Sequence, residues 1–299
     1  MYHILIAGAG YAGSAIARNF LAKKQKIFTL TRSEKKSEVF RAQGAHPLCM
    51  DLTQPETLKQ LPAAHFIVFA AAPDISDEAN YRSIYLEGLS NLLEAVKRNP
   101  RPHLFLHLSS TSVWRERAGG WVDETVPADP DTEKGKILLE AEQRVLSAGI
   151  PAVILRLAGI YGPGRNRLSR KAAPAQEPLR WMNMIHVEDI AQAIQPLFKS
   201  AREGGIYTAV DDEPVLNRTF YEWLRAHTGV SKPREPAEGV GLRHAQTGAD
   251  MPALKDTGTT EGKRVSNQKL KSLNWKPQYP TFRQGYEELL KTRAETAHG

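Results

Sequence analysis

Apolar residues gather in short unbroken runs through the first half of the chain, at 3–7, 26–31, 46–50, 65–72, 103–109 and 152–157. Between the runs they recur every three or four positions. The runs predict short buried strands, and the recurrence predicts helices that turn one face to a core. A helix over 12–24 sets Ile16, Phe20 and Leu21 on one face, and one over 80–97 does the same for Ile84, Leu89, Leu92, Leu93 and Val96. Another is expected over 134–146. Strands that alternate with helices in this way predict an α/β fold with a doubly wound parallel sheet, whose ligands lie beyond the carboxyl ends of the strands.

The alternation breaks after Gly162. Residues 162–180, rich in Gly, Pro, Arg and Lys, read as a loop or lid, and 231–262 reads as a mobile loop with little periodicity. Helices are expected over 187–201, 219–228, 267–273 and 282–291, with a strand over 206–210. No internal repeat is visible.

Composition narrows the class. With 41% hydrophobic and 24% charged residues, the 299-residue chain has the profile of a globular protein and not that of a disordered one. Its single cysteine, Cys49, allows neither an internal disulfide nor a cysteine metal cluster, which points to a reducing compartment and a cytoplasmic protein. No metal site is expected. The first apolar run is too short for a secretory signal, and no stretch approaches the roughly 20 apolar residues of a membrane helix. A surplus of 40 Lys+Arg over 33 Asp+Glu, formally +7, fits nucleic acid, an acidic membrane or a phosphorylated ligand. The basic residues are scattered without an aromatic platform or a reader motif, which argues against nucleic acid.

Gly8-Ala9-Gly10-Tyr11-Ala12-Gly13 follows an expected strand and opens an expected helix, the setting in which G-x-G-x-x-G signals a dinucleotide. Gly8 allows the tight turn, Gly10 lets backbone approach a pyrophosphate, and Gly13 allows close packing of helix on strand. The helix amino terminus adds N–H groups and partial positive charge. An NAD site would carry an acid at the end of the second strand. Here that end reads Thr31-Arg32-Ser33, followed by Lys35 and Lys36. The planar fork of Arg32, with Ser33 beside it, suits a 2′-phosphate, so NADP is favoured over NAD; basic residues on a solvated turn are the competing explanation.

Further segments extend the pattern. They are Asp51-Leu52, Ala70-Ala71-Ala72, Ser109-Ser110-Thr111-Ser112-Val113, Arg156 with Tyr161-Gly162-Pro163-Gly164, and Ile185-His186-Val187-Glu188-Asp189-Ile190-Ala191. Together they resemble the extended short-chain dehydrogenase/reductases, the NAD-dependent epimerase/dehydratase superfamily, over nearly the whole chain. The resemblance implies an NAD(P)-binding Rossmann domain over 1–162 and a mixed segment over 163–299 that completes it and forms a small substrate lobe. It implies cofactor contacts from Gly8, Gly10, Tyr11, Ala12, Gly13, Arg32, Ser33, Asp51, Leu52, Ala70, Ala71, Ala72, Ser109, Lys136, Gly159 and Ile160. It also implies a monomer or homodimer.

The family's chemistry uses a Tyr-x-x-x-Lys pair on one helix face together with a serine that polarises the substrate oxygen. Ser110 matches that serine. Lys136 and Glu140 keep the family's register and place the tyrosine position on Thr132, whose alcohol cannot ionise near neutrality. The family's habit of placing Pro four residues before the tyrosine points instead from Pro130 to Lys134. Neither register restores a tyrosine. Tyr85 stands where the family has an active-site Asn and is a candidate substitute phenol or a packing residue. The pattern resembles a Tyr-less, YeeZ-like subgroup.

Arg165, Arg167, Arg170, Lys171 and Arg180, against the single acid Glu177, suit an anionic small-molecule substrate such as a nucleotide sugar, or form a solvated basic loop. Trp114 is expected to wall the substrate pocket, and His186 to be structural. Two function classes follow. One is an oxidoreductase or epimerase/dehydratase that uses Ser110, Lys136 and a proton relay through Tyr85 or Thr132. The other is a non-catalytic dinucleotide sensor or interaction protein that keeps the cofactor site.

Overall fold

The apolar runs of the first half become strands. β1 (His3–Ala7) is followed by α1 (Tyr11–Ala22), β2 (Lys26–Thr31), α2 (Glu34–Ala42), β3 (His46–Cys49) and β4 (Phe66–Phe69). A helical passage then runs through α3 (Glu78–Arg82), a π-helical turn (Ser83–Gly88) and α4 (Leu89–Lys97) to β5 (Leu104–Ser110). Next come β6 (Trp121–Val122), α5 (Glu133–Leu146), β7 (Ala152–Leu157) and β8 (Gly159–Tyr161). The later chain forms β9 (Trp181–Met182), β10 (Met184–His186), α6 (Val187–Ser200), β11 (Ile206–Ala209), β12 (Val215–Leu216) and α7 (Asn217–Thr228). It ends with β13 (Arg264–Val265), α8 (Gln268–Lys271) and α9 (Phe282–Ala297). This computed structural model describes residues 1–115, 117–168, 179–201, 203–228 and 260–297. Most of the loop expected over 231–262 and the middle of that over 162–180, including Arg170, Lys171 and Glu177, lie outside them.

Seven strands pair in the order β11-β7-β5-β4-β1-β2-β3, every pair parallel. This is the Rossmann arrangement the sequence predicts. Alternation along β1 divides the core: Ile4 and Ile6 face Ile16 and Phe20 of α1 and Ile190 and Ile194 of α6, while Leu5 and Ala7 face Leu89 and Leu92 of α4 and Ile137 of α5. The order reverses between β1 and β4, and at such a reversal the helices lie on opposite faces and leave a crevice.

The part beyond 162 contributes both to the central sheet and to a separate apolar cluster. β11 and α6 complete the sheet and its cover, while α7 and α9 close a third apolar cluster with Phe220, Phe282 and Tyr286 against Tyr161. Two two-stranded pairings, β8 with β10 and β6 with β13, tie segments from the two halves together, and a third, β9 with β12, forms within the later chain. The helix α2 shows little in the sequence because only Ser37 and Phe40 are buried in an otherwise charged segment. No helix among the described residues is long and apolar enough to cross a membrane.

Candidate active site

A cleft of about 660 Å³ runs along the carboxyl ends of the central strands. At one end the turn after β1 is pressed into place. Gly8 has φ +108°, and a Cβ on it would lie 2.3 Å from the backbone nitrogen of Ala71. A Cβ on Gly13 would lie 2.0 Å from the Gly8 carbonyl oxygen. Gly10 has nothing within 4 Å of its Cβ position, so the turn is open only on the side that faces the cleft wall formed by Gly8, Gly10, Tyr11 and Ala12. Behind it α1 begins at Tyr11 with no acid in its first turn, leaving its positive end available to phosphate. These residues fit a dinucleotide.

Beyond the turn the wall is made by Arg32, Lys36, Asp51, Leu52, Ala70, Ala71 and Ala72. Arg32 reaches Asp74 at 2.6 Å, and both side chains are more than half exposed, so the pair is weak and separable. Asp51 Oδ1 accepts from the Thr53 amide at 2.9 Å and hydroxyl at 2.8 Å, which fixes that turn. Ser33 departs from expectation. It caps α2 by accepting from the Lys36 amide, and it does not line the cleft. Lys36, one turn on, does.

At the other end β5 delivers Ser109, Ser110, Thr111 and Ser112, opposite Gly159, Ile160, Tyr81, Ile84 and Tyr85. Ser109 Oγ donates to Glu142 Oε1 at 2.6 Å, and Arg156 grips the same carboxylate at 3.0 and 2.7 Å. This buried triad anchors the strand end to α5. Ser110 Oγ accepts from the Ser112 amide at 3.1 Å and from the Ser112 hydroxyl at 3.0 Å, capping a short 3₁₀ turn. Tyr85 stands on the π-helical turn, a feature frequent at functional sites, with its ring 5.3 Å from Tyr81. Burial first, and then Tyr81, raise its phenol above the ordinary range, so the group stays protonated.

On α5 the geometry corrects the register through Lys136. Lys136 Nζ pairs with Glu133 at 2.6 Å, is largely exposed and does not line the cleft. Thr132 is the N-cap, its hydroxyl accepting from the Gly135 amide at 3.1 Å. Leu138 lines the cleft instead, and Lys134, one turn before it, reaches Ser76 and lies 5.4 Å from the Tyr81 ring. The buried acid of the helix is Glu142, whereas Glu140 pairs with Arg144. Every one of these positions is two residues beyond the register through Lys136, and they agree with the spacing from Pro130.

Two further expectations fail. Trp114 is 1% exposed, donates to the Val126 carbonyl at 2.9 Å and stacks under Arg156, so it is core and not pocket wall. Arg167 turns into the lobe, where it donates to the Tyr221 hydroxyl at 3.0 Å. Arg165 does line the cleft, at the glycine turn: its guanidinium lies 5.7 Å from the Tyr11 ring, and the Tyr11 hydroxyl donates to the Pro163 carbonyl at 3.0 Å. Burial pushes the Tyr11 phenol up to about 12. His186 caps α6 by accepting from the Glu188 amide, and burial holds it down at about 4. Sequence reasoning missed Asp74 and Lys263 as lining residues, and for Lys263 the sequence carries no signal at all.

Residues 4–209 match the family model described as the NAD dependent epimerase/dehydratase family. The chain belongs to that family. This also bears out the resemblance to the extended short-chain dehydrogenase/reductases and their YeeZ-like subgroup. Protein YeeZ of Escherichia coli K12 is 27% identical over 242 residues, covering 78% of this chain and 86% of YeeZ. A ketoreductase of Stigmatella aurantiaca that acts on 4-hydroxy-2-methyl-3-oxo-4-farnesyl-3,4-dihydroquinoline-1-oxide is 26% identical over 248 residues, covering 77% and 74% of the two chains. A Methylobacillus flagellatus structure, presented as a candidate NAD-dependent epimerase/dehydratase, is 30% identical with a TM-score of 0.76 over 98% of this chain and 99% of its own. The description of that family names NAD-dependent epimerases and dehydratases.

Proposed function

We propose that the chain binds NADP(H) in this cleft and interconverts a carbonyl and an alcohol on an anionic small molecule. The observation that supports this best is the make-up of the cleft: a glycine cradle with Arg32 and Lys36 at one end, and Ser110, Ser112 and Tyr85 at the other. When bound, a nicotinamide dinucleotide supplies hydride transfer. Gly8, Gly10, Tyr11 and Ala12 would hold its diphosphate, and Arg32 with Lys36 its 2′-phosphate. Ser110, accepting from Ser112, is polarised to donate its own proton to the substrate oxygen. Tyr85, kept protonated by burial, passes its phenolic proton to that oxygen as negative charge builds there.

A second reading rests on Leu138. An apolar side chain lines the cleft one helical turn after Lys134, at the position where the register from Pro130 sets the family's lysine; this favours a dinucleotide sensor that does not turn over. Two measurements decide. In calorimetric titrations NADP⁺ binds more tightly than NAD⁺, and Arg32→Ala removes about tenfold of that advantage; equal affinities in the parent protein would refute the NADP assignment. In absorbance assays with a panel of carbonyl acids, bound NADPH is consumed and Tyr85→Phe slows consumption about a hundredfold. NADPH that binds tightly but is never consumed leaves the sensor.

A further inference from the structure

Two acids are among the described residues that line the cleft, Asp51 and Asp74. Asp51 spends its Oδ1 on the Thr53 amide and hydroxyl, within its own turn. Asp74 reaches to a different element: its Oδ2 accepts from Arg32 Nη2 at 2.6 Å, 42 residues earlier in the chain. The carboxylate therefore sits on the cation that the end of β2 presents to the cleft.

Its placement comes from the backbone. Upstream, the Ala70 amide donates to the Ala7 carbonyl at 2.8 Å, and the Ala71 backbone is pressed so close to Gly8 that a Cβ on that glycine would lie 2.3 Å from its nitrogen. Downstream, Lys134 Nζ donates to the Ser76 carbonyl and, at 3.1 Å, to the Ser76 hydroxyl, and Asp77 caps α3 by accepting from the Asn80 amide at 2.8 Å. Only residues 72–75 span the gap between these anchors, and the ring of Pro73 fixes one torsion of the span. The Asp74 side chain, 78% exposed, can swing off Arg32, while its backbone stays at the edge of the cleft.

We infer that Asp74 is a specificity-determining residue of the dinucleotide site: its carboxylate holds Arg32 until a 2′-phosphate displaces it, which narrows the preference of the cleft for NADP over NAD. The inference deepens the proposed function and rests on the dinucleotide lying with its 2′ position at Arg32. A phosphate monoester wins the exchange because it brings nearly two negative charges and three acceptor oxygens to a planar fork that Asp74 engages through one nitrogen. The exposed pair that it breaks is weak. With NAD nothing is displaced, and Arg32 keeps its counter-ion beside the ribose. The cost of the exchange falls on one dinucleotide and not on the other.

The test titrates NADP⁺ and NAD⁺ into the full chain by calorimetry. Asp74→Asn, which keeps the shape of the side chain and loses its charge, should tighten NADP⁺ by about three- to tenfold and leave NAD⁺ within about twofold. Asp74→Ala, which also removes the acceptor for Arg32, serves as the second variant and should do the same. In an Arg32→Ala background, where there is no cation to contest, Asp74→Asn should tighten NADP⁺ by less than about twofold. Adenosine 2′-monophosphate should follow NADP⁺ and adenosine 5′-monophosphate should follow NAD⁺, which ties the effect to the 2′ group. Unchanged affinities in both Asp74 variants, an equal gain for NAD⁺, or the full gain retained without Arg32 overturns the inference. A parent protein that binds neither dinucleotide overturns the dinucleotide reading first, and the parent titrations show this before any variant is made. Equal parent affinities refute the NADP preference alone, and the inference then stands if Asp74→Asn still lifts NADP⁺ and not NAD⁺.

Discussion

Two side chains separated by two positions on a helix point about 200° apart around its axis, so Lys134 and Lys136 cannot serve one cleft. Lys134 reaches Ser76 and Tyr81 at the cleft edge, whereas Lys136 pairs with Glu133 in solvent. Lys136→Ala is accordingly expected to leave NADP⁺ affinity within about twofold, since an exposed pair of this kind contributes little. Leu138→Lys, which adds a cation to the cleft wall, should change it measurably in the same titration. A large loss from Lys136→Ala would return the register to that residue. The sequence held the information needed to choose: Pro130 pointed to Lys134. Lys136 and Glu140 mask that signal by repeating the expected residue types two positions early, and only burial separates Glu140 from Glu142. Trp114 shows the same limit. An aromatic beside a catalytic turn reads as pocket wall until its indole is found bonded to Val126 beneath Arg156.

At the scale of elements, strands with continuous apolar character were readable to within a few residues because burial on both faces demands it: every residue of β4 and β7 is buried. The two-residue strands β6, β9, β12 and β13 were not, since two residues have no period and their partners lie far along the chain. The π-helical turn in the 80–97 helix was also invisible. Its apolar spacing still reads as helix, and one widened turn shifts Tyr85 without altering the pattern. How α9 meets the sheet is likewise a packing fact. A Cβ on Gly285 would stand 2.1 Å from the Tyr161 hydroxyl, so the helix lies against that ring only because position 285 has no side chain. Gly285→Ala is expected to destabilise the protein by about 1–3 kcal/mol in urea unfolding, the usual cost of overpacking. Adding Tyr161→Phe should recover part of this, because the shortest contact is with the hydroxyl. An unchanged midpoint would show that α9 shifts freely.

Over the whole molecule, buried titratable groups pull stability in opposite directions with pH. His107 is fully buried in β5 with no hydrogen-bond partner on either ring nitrogen, and burial holds it down at about 3. Below its unfolded value near 6.5 the unfolded chain takes up a proton that the fold refuses, so this contribution is complete above that pH and is lost as pH falls. Burial pushes Asp189 up to about 6, although it accepts from the Gln278 and Tyr279 amides, and burial raises Asp211 well above the usual carboxylate range. These acids act oppositely: their contribution is lost as pH rises through the same range. His107→Phe isolates one side, and relative to the parent protein the variant should gain about 2 kcal/mol between pH 7 and pH 5 in chemical unfolding. A pH-independent difference would mean that His107 is protonated in the fold. The basic surplus that composition left ambiguous is now partly placed, with Arg32, Lys36, Arg165 and Lys263 lining one cleft.

The pairing of β13 with β6 also sets an order in time. All but one of the described lining residues of the cleft lie at or before Arg165, whereas the sheet beneath them lacks β11 and the cover of α6 until residue 209 is made, and Lys263 follows later still. A chain emerging from the ribosome therefore cannot finish the cleft until most of its second half has been made, and a chain cut after Arg165 is expected to lack it.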